Sequence, residues 1–174
     1  MKLKLRLLLL AIASFFQKRT SVFDENVLNL RVLPNDLDFL RISNDRYLSL
    51  MDLGRFGIAF RGGLFLTFVK NRWFPITRVA TVRFRHPLWL FQKYQLRSRV
   101  VYLDTEWIWT EHRFERNNRT IAIGIIKVAM IGPRGIVPVA EVIAATGESA
   151  IPLPVPKIVV DILNVEEQIR AMQE

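Results

Sequence analysis

The chain has 174 residues, 51% of them hydrophobic and 24% charged, which predicts one globular domain with a sizeable core rather than a disordered segment. It contains no cysteine and two histidines, so a disulfide framework, a thiol nucleophile and cysteine-ligated metal centres are excluded, and we predict no metal site. The formal net charge of +9 predicts a surface that attracts anions, such as nucleic acid, anionic lipid or a phosphorylated small molecule.

Residues 1–20 form a segment that is both basic and apolar. Its cationic side chains, with no acid among them, are Lys2, Lys4, Arg6, Lys18 and Arg19. Between them, residues 7–16 are almost entirely apolar, but this run is shorter than the roughly 20 residues that span a bilayer. Three interpretations are open: a helix on an anionic membrane surface, a helix packed on the domain, or a signal peptide cut after residues 11–13. We favour the first, which describes a cytoplasmic protein peripheral to a membrane.

The first half of the chain predicts one strand followed by one long helix. Residues 27–33 have the apolar pattern of a strand. Asn44 is a favourable N-cap, so we predict a helix over residues 45–61 that ends at two glycines. Gly54 and Gly57 inside this helix each weaken it by about 1 kcal/mol. Their presence predicts that something packs close to the helix backbone, as a sheet wrapped around it would.

The second half of the chain predicts an antiparallel sheet, after an apolar and basic connector over residues 64–75. Strands are expected over residues 76–85, 93–103, 107–116 and 120–131. A short helix, a proline-rich strap and a C-terminal helix follow over residues 138–146, 151–156 and 159–173. This order is an α+β layout with one long helix for a large sheet. Because one helix cannot cover both faces of such a sheet, we predict self-association.

Residues 33–64 carry a series of motifs: P-x-D-L-D, then R-I-S-N, then R-Y-L and D-x-x-R. The matching residues are Pro34, Asp36, Leu37, Asp38, Asn44, Arg46, Tyr47, Leu48, Asp52 and Arg55. Residues 81–88 and 135–138 add a strand and a turn in the same order. In these motifs the sequence resembles hotdog-fold acyl-CoA thioesterases of the 4-hydroxybenzoyl-CoA thioesterase-like superfamily, in the branch with the Asp-Leu-Asp loop.

The resemblance implies a hotdog fold, in which one long helix is wrapped by a five- to six-stranded antiparallel sheet, here with additional N- and C-terminal helices. We expect three parts: an N-terminal helix over residues 1–20, a thioesterase-like domain over residues 21–150, and a strap with a C-terminal helix over residues 151–174. The resemblance also implies hydrolysis of acyl-CoA or related acyl thioesters by a homodimer or homotetramer. Coenzyme A would be part of the substrate, and no cofactor is expected.

The resemblance also assigns the site residues. The family's catalytic carboxylate, acting as a base or as a nucleophile, corresponds to Asp38, for which a turn acid is the structural alternative. The oxyanion would be held by backbone N–H groups at the helix N-terminus, over residues 43–47, with Asn44 as a second catalytic residue. Substrate binding falls to Arg41, Ser43, Tyr47, Arg83 and Arg85, the last two being candidates for the phosphates of coenzyme A.

The sequence departs from the family pattern at the mouth of this expected site. Where the family has H-M-N-N-G, this chain has Arg41 in place of the His and Ser43 in place of the first Asn. The main alternative is therefore a non-catalytic hotdog protein that binds acyl thioesters or lipids. A hydratase is disfavoured because Ser43 stands where those enzymes have a His, five residues after Asp38. A structural protein acting through its basic N-terminus is a further alternative.

The remaining polar residues have structural interpretations. We expect Asp36 to stabilise its loop, Asp52 and Arg55 to pair within the helix, His112 to face packing and His86 to be exposed. The main basic cluster of the sheet comprises Arg83, Arg85, Lys93, Arg97 and Arg99. Two interpretations of this basic cluster are open: a solvated face of the sheet, or a binding site for the phosphates of coenzyme A. Because no recognition motif is present, we predict no nucleic-acid partner.

Overall fold

A computed structural model describes residues 4–16 and 18–172 of the chain. The helices are α1 (Lys4–Phe16), α2 (Asn44–Arg61), α3 (Phe65–Asn71), α4 (Val139–Ala144) and α5 (Lys157–Ala171). The strands are β1 (Asn26–Arg31), β2 (Leu37–Asp38), β3 (Arg41–Ile42), β4 (Phe74–Phe84), β5 (Lys93–Leu103), β6 (Ile108–Arg116), β7 (Arg119–Gly132) and β8 (Gly135–Val137). A 3₁₀ turn, Pro34–Asp36, precedes β2. Lys2 and the predicted helix end at Gln173 lie outside the described residues.

Six strands form one antiparallel sheet with α2 against it. The strand order is β1–β5–β6–β7–β4, and β8 pairs with the end of β7. The short strands β2 and β3 pair with each other as a separate hairpin. One long helix on an antiparallel sheet, with further helices at both ends of the described chain, confirms the predicted α+β hotdog fold.

The core lies between α2 and the sheet. Leu50, Met51 and Leu53 of α2 are at most 2% exposed and belong to one cluster with Leu96 of β5 and Phe114 of β6. Burying an aliphatic side chain of this size stabilises the fold by about 1.5–3 kcal/mol. This packing therefore fixes α2 on the sheet, and with it the position of the helix N-terminus.

Two glycines allow α2 to lie close to the strands. A Cβ atom at Gly54 would overlap the hydroxyl of Ser98, and one at Gly57 would overlap the side-chain amide of Asn26. Both neighbours lie on strands of the sheet. The predicted close approach to the helix backbone is therefore present, and it accounts for two residues that weaken a helix in isolation.

The predicted N-cap of α2 is wrong by one position. Asn44 is the first residue of the helix, and Ser43 is its N-cap, with an extended backbone at φ −74° and ψ 155°. Both residue types are favourable caps. The N–H of Ser43 donates to the carbonyl of Asp36 at 3.5 Å, which holds Ser43 extended and starts the helix at the next residue.

The segment predicted as a connector contains helix α3. Leu64 and Phe68, four residues apart, are 4% and 8% exposed, so one face of α3 packs on the domain. The helix ends where Arg72 adopts a left-handed conformation with φ 55°. Apolar residues on both faces hide the helical period in the sequence, because the outward residues Leu66 and Val69 are apolar as well.

Helix α5 covers part of the outer face of the sheet. Val159 and Ile162 are buried there in a cluster with Trp109. Lys127 of β7 is 6% exposed, lies over the Trp109 ring at 5.5 Å, and donates to the Glu166 carboxylate at 2.6 Å. A cation paired in this way and covered by an aromatic ring holds the helix against the sheet.

Helix α1 packs on the domain by one face. Leu7 and Leu10 contact the core, and Ala11 is 6% exposed. Within residues 4–16 and 18–172, no helix has both the length and the apolar character needed to cross a membrane.

Candidate active site

The β2–β3 hairpin carries the candidate carboxylate. Leu37 pairs with Ile42 and Asp38 pairs with Arg41, while Phe39 turns the chain with φ 57°, a backbone conformation that non-glycine residues rarely adopt. Ile42 is 5% exposed and anchors the hairpin in the core. Asp38 is exposed. The hairpin is therefore anchored in the core by Ile42, while its Asp38 carboxylate is accessible to solvent.

An open cleft of about 630 Å³ lies between this hairpin, the first turn of α2 and the end of β4. The predicted site residues that line it are Asp38, Arg41, Ser43, Asn44, Tyr47 and Arg85. Arg83 lies on β4 and is exposed, but it is outside the cleft lining. The fold therefore gathers most of the residues that the motif pattern singled out.

A buried carboxylate behind the cleft fixes the loop that leads to Asp38. Asp36 is 2% exposed, and it accepts hydrogen bonds from the Leu33 N–H at 2.9 Å and from the Arg6 guanidinium at 2.7 Å. The Nε of Arg46 lies 3.5 Å from its other oxygen. A buried carboxylate needs such partners to remain charged. These contacts hold the loop in one conformation, so Asp36 has the structural role expected of it.

Arg6 contributes to this region although no motif of the sequence includes it. Its guanidinium also donates to the carbonyl of Arg31 at 3.0 Å, so it ties α1 to the end of β1 as well as to the loop. The sequence does contain a signal for it. A spacing of four places Arg6 on the same side of the helix as Leu10, which packs against the core.

Two groups beside the hairpin have shifted pKa values. Burial raises the pKa of the Tyr47 phenol to about 12, so this group stays protonated at neutral pH. The Tyr47 ring packs against Phe84 and Phe114, with centroid distances of 5.2 and 4.9 Å. A hydrogen bond from the Ser43 side chain lowers the pKa of Asp45, which stays ionised at the start of α2. The first turn of α2 therefore brings both a neutral phenol and a negative charge to the lining of the cleft.

The arrangement joins a carboxylate to a set of hydrogen-bond donors. The first turn of a helix leaves its N–H groups without acceptors inside the helix, and its dipole is positive there. Asp38 and this turn of α2 line the same cleft. A carboxylate of this kind can activate water, and the donors can stabilise an oxyanion. Arg41 and Arg85 add positive charge at the rim.

The two histidines differ in position. His86 is exposed, as predicted, and it lines the cleft, although its sequence context indicates no catalytic role. His112 is fully buried, with Nδ1 2.9 Å from the Ser98 hydroxyl and Nε2 3.0 Å from the Thr110 hydroxyl. Burial lowers the pKa of His112 well below its usual value, so the ring is neutral. His112 faces packing, as predicted.

The predicted ion pair inside α2 is present. Arg55 pairs with Asp52 and also donates to the Thr77 hydroxyl of β4 at 3.1 Å. Burial raises the pKa of Asp52, and the charge of Arg55 opposes that shift. The pair thus connects the helix to the strand rather than to the cleft.

The basic cluster of the sheet is partly neutralised. Arg97 pairs with Glu25 at 2.5 Å, and Arg99 pairs with Glu111 at 3.2 Å. These pairs favour a solvated face over an anion site at β5. In the part of the chain that the structure describes, no group of His, Asp or Glu side chains is arranged to hold a metal ion.

A sequence profile of the thioesterase-like superfamily matches residues 32–146, more than half of the chain. The chain belongs to this superfamily. The match includes the β2–β3 hairpin, α2 and the end of β4. It therefore includes every residue that lines the cleft. Helices α1 and α5 lie outside it. The thioesterase-like family expected from the motif pattern is thus confirmed.

Curated relatives in the superfamily share part of the chain. Protein THEM6 of Danio rerio is 35% identical over 94 residues, which cover 53% of this chain and 46% of that protein. Protein THEM6 of Xenopus laevis is 36% identical over 84 residues, which cover 48% of this chain and 41% of that protein. The chain spans less than half the length of these two relatives.

Solved structures share the fold. The BH1999 gentisyl-coenzyme A thioesterase superposes with a TM-score of 0.64 at 20% identity, covering 71% of this chain and 100% of that one. The Staphylococcus aureus protein SAV2348, solved in complex with CoA, superposes with a TM-score of 0.64 at 9% identity, covering 80% and 94%. At these identities the likeness establishes the fold.

Proposed function

We propose that this chain hydrolyses thioesters of coenzyme A or of a related acyl carrier. The observation that carries the proposal is the cleft in which the exposed Asp38 carboxylate lies beside the first turn of α2. Membership of the thioesterase-like superfamily supports thioester hydrolysis in general. The gentisyl-coenzyme A thioesterase and the CoA complex among proteins of the same fold support an acyl-CoA substrate.

In the proposed reaction Asp38 acts as a general base. It takes a proton from a water molecule while the water oxygen attacks the thioester carbon, and the negative charge moves to the carbonyl oxygen. Backbone N–H groups at the start of α2 stabilise that oxyanion. The carbon–sulfur bond then breaks, and the departing thiolate takes the proton from Asp38, which gives a carboxylic acid and a free thiol. Direct attack by Asp38 would instead form an anhydride that water hydrolyses.

The other residues of the cleft bind the substrate in this proposal. Asn44 orients the attacking water or the acyl carbonyl through its side-chain amide, and the Ser43 hydroxyl lies at the same helix end. Tyr47 lines the cleft, and in this proposal the acyl group packs against the small part of its side chain that the core leaves exposed. Arg41 and Arg85 bind phosphates of coenzyme A, because guanidinium groups form charge-assisted hydrogen bonds with phosphate oxygens. Arg83, outside the cleft, would contact only a part of the substrate that extends beyond the rim.

We also propose that a second copy of the chain completes the cleft, in a homodimer or in a homotetramer built from it. In the described sheet, β4 pairs with β7 on one side and lies at the edge on the other. An edge strand of 11 residues readily pairs with another strand. Arg85 follows β4 directly and lines the cleft. Pairing of two β4 strands about a two-fold axis would therefore bring a second protomer beside the site.

One observation favours a second candidate, a protein that binds acyl thioesters without cleaving them. The position of the family's His is occupied by Arg41, directly opposite Asp38 in the hairpin. A guanidinium stays protonated and cannot exchange a proton with the reaction, whereas an imidazole can. Substrate binding is compatible with this change, because a cation at the rim attracts phosphate.

The test is a hydrolysis panel of acyl-CoA substrates with detection of the free thiol. We expect turnover by the full chain, reduced by about 10²–10⁴-fold in Asp38→Asn, because asparagine keeps the shape but cannot act as a base or nucleophile. Acyl-CoA binding should be largely retained. Asp161→Asn is the matched control, because Asp161 is an exposed acid on α5 that pairs with Lys157, and the change should leave turnover intact.

The outcomes separate the two candidates. Full activity in Asp38→Asn would exclude the proposed mechanism. A wild-type chain that binds acyl-CoA but releases no thiol from any member of the panel would identify the non-catalytic alternative.

A further inference from the structure

Helix α1 has a second face that the domain leaves uncovered. Its inward side chains pack on the core, but the other side of the helix is apolar as well. The exposed side chains are Leu5, Leu8, Leu9, Ile12, Phe15 and Phe16, with exposed fractions from 47% to 86%. Contiguous apolar surfaces of this kind mark a site of interaction, whereas single exposed apolar residues are ordinary.

Helix α3 extends this apolar surface. The ring of Phe15 meets the ring of Phe65 edge to face, with the centroids 5.5 Å apart, so the end of α1 contacts the start of α3. Leu66 and Val69 of α3 are 63% and 65% exposed. We call the exposed apolar side chains of α1, together with Leu66 and Val69, the α1–α3 surface.

The charges on the segments that form the α1–α3 surface have one sign. Residues 1–23 and 62–75 contain no Asp or Glu. Their exposed cations in the described part of the chain are Lys4, Lys18, Arg19, Lys70 and Arg72. Arg6 is not among them, because its charge is paired with Asp36. An apolar face flanked by cations is complementary to the headgroup and upper acyl region of an anionic lipid layer.

Helix α5 provides an internal comparison. It too has exposed apolar side chains, including Val165 and Ile169 at 52% and 53%. The same helix carries the acids Asp161, Glu166 and Glu167, the first two of which are paired with Lys157 and Lys127. Helix α5 therefore has no excess of positive charge to attract anionic lipid, whereas the segments of the α1–α3 surface carry cations and no acid. The same reasoning disfavours nucleic acid at α1, where the cations flank leucine and phenylalanine side chains rather than a polar groove.

We propose that the α1–α3 surface docks in the plane of an anionic lipid bilayer. Helix α1 has 13 residues and lies flat on its own domain, so the lipid would contact the side opposite to Leu7 and Leu10. The apolar side chains enter the boundary between headgroups and acyl chains, and Lys4, Lys18 and Arg19 contact lipid phosphates. The interaction is independent of the thioesterase activity proposed above.

The experiment is co-sedimentation of the full chain with vesicles of phosphatidylcholine alone or mixed with phosphatidylserine. We expect binding to the mixed vesicles, weakened by salt and by omission of phosphatidylserine. Leu8→Gln combined with Phe16→Gln should weaken binding by about tenfold or more, because two apolar side chains lose their lipid contact. Lys18→Gln should weaken it by about fivefold.

The matched control is Val165→Gln combined with Ile169→Gln, which removes two apolar side chains of similar exposure from α5. This variant should bind vesicles like the wild type. Thermal unfolding of all variants should be unchanged, since every mutated side chain is exposed.

Three results would overturn the proposal. Equal binding to both vesicle types would show that the cations are not involved. Equal weakening by the α5 variant would place the contact elsewhere. Absence of vesicle binding, with a smaller oligomer in the Leu8→Gln and Phe16→Gln variant, would show that the α1–α3 surface joins two copies of the chain.

Discussion

Substitution of Arg6 by methionine removes the cation from a carboxylate that has almost no access to water. The side chains of Asp36 and Arg6 are 2% and 13% exposed. Removing one partner of a buried pair costs about 3–5 kcal/mol, and we expect the lower end of this range because Arg46 and the Leu33 N–H remain beside the carboxylate. Methionine keeps an unbranched apolar stem, so the loss reports the missing charge rather than missing packing.

Urea unfolding measures the expected loss of about 3 kcal/mol in the free energy of unfolding. In a chain of this size, each kcal/mol corresponds to about 2–4 °C, so the thermal midpoint should fall by about 6–12 °C. The same loop carries Asp38, so the turnover number for thioester hydrolysis should fall more than KM for acyl-CoA rises. Lys4→Met is the matched control, because Lys4 is an exposed cation on the same helix.

A double variant tests whether the lost stability comes from the unpaired charge of Asp36. Arg6→Met combined with Asp36→Asn removes the buried carboxylate together with its Arg6 partner. The Arg46 cation then keeps its hydrogen bond to the Asn35 carbonyl, so the double variant should recover part of the stability lost in Arg6→Met. If Arg6→Met and Lys4→Met unfold at the same urea concentration, the pair contributes nothing to stability. Helix α1 would then not be held by it.

Two other measurements address the core and the assembly. Burial lowers the pKa of His112 below its usual 6.5, so at acidic pH the folded chain binds fewer protons than the unfolded chain. The free energy of unfolding should therefore fall as pH drops below about 6.5. In the His112→Gln variant, urea unfolding should depend less on pH in that range. Light scattering at micromolar concentration should give the mass of at least two chains, and a monomer would contradict pairing through the edge of β4.

Much of the fold can be predicted from the sequence, because turn residues and the spacing of apolar residues mark its helices and strands. Two glycines after Arg61 end α2, and Asn117 and Asn118 adopt positive φ in the tight turn between β6 and β7. Helix α3 could not be predicted in this way, since Leu66 on its outer side is as apolar as Phe68 on its inner side. The spacing of apolar residues alone does not reveal a short helix whose outer side carries apolar residues as well.

Only the site residues that belong to the sequence motif could be predicted to lie together. The residues from Asp38 to Tyr47 are close in sequence, and the motif places them together. Arg85 joins them because β4 ends beside the helix N-terminus, which follows from the sheet and not from spacing. The bond from Arg6 to Asp36 depends on where a distant helix docks. Local patterns cannot specify such a contact between segments far apart in the chain.

The order of the strands has a consequence for synthesis. Both edge strands precede their partners in the chain, since β1 pairs with β5 and β4 pairs with β7. The N-terminus leaves the ribosome first, so α2 and both edge strands emerge before the central strands that they contact. The central strands, from Lys93 to Gly132, pair with each other in chain order. Nascent chains stalled before β7 should therefore stay protease-sensitive along α2, and protection should arise in one step once Gly132 has left the ribosome.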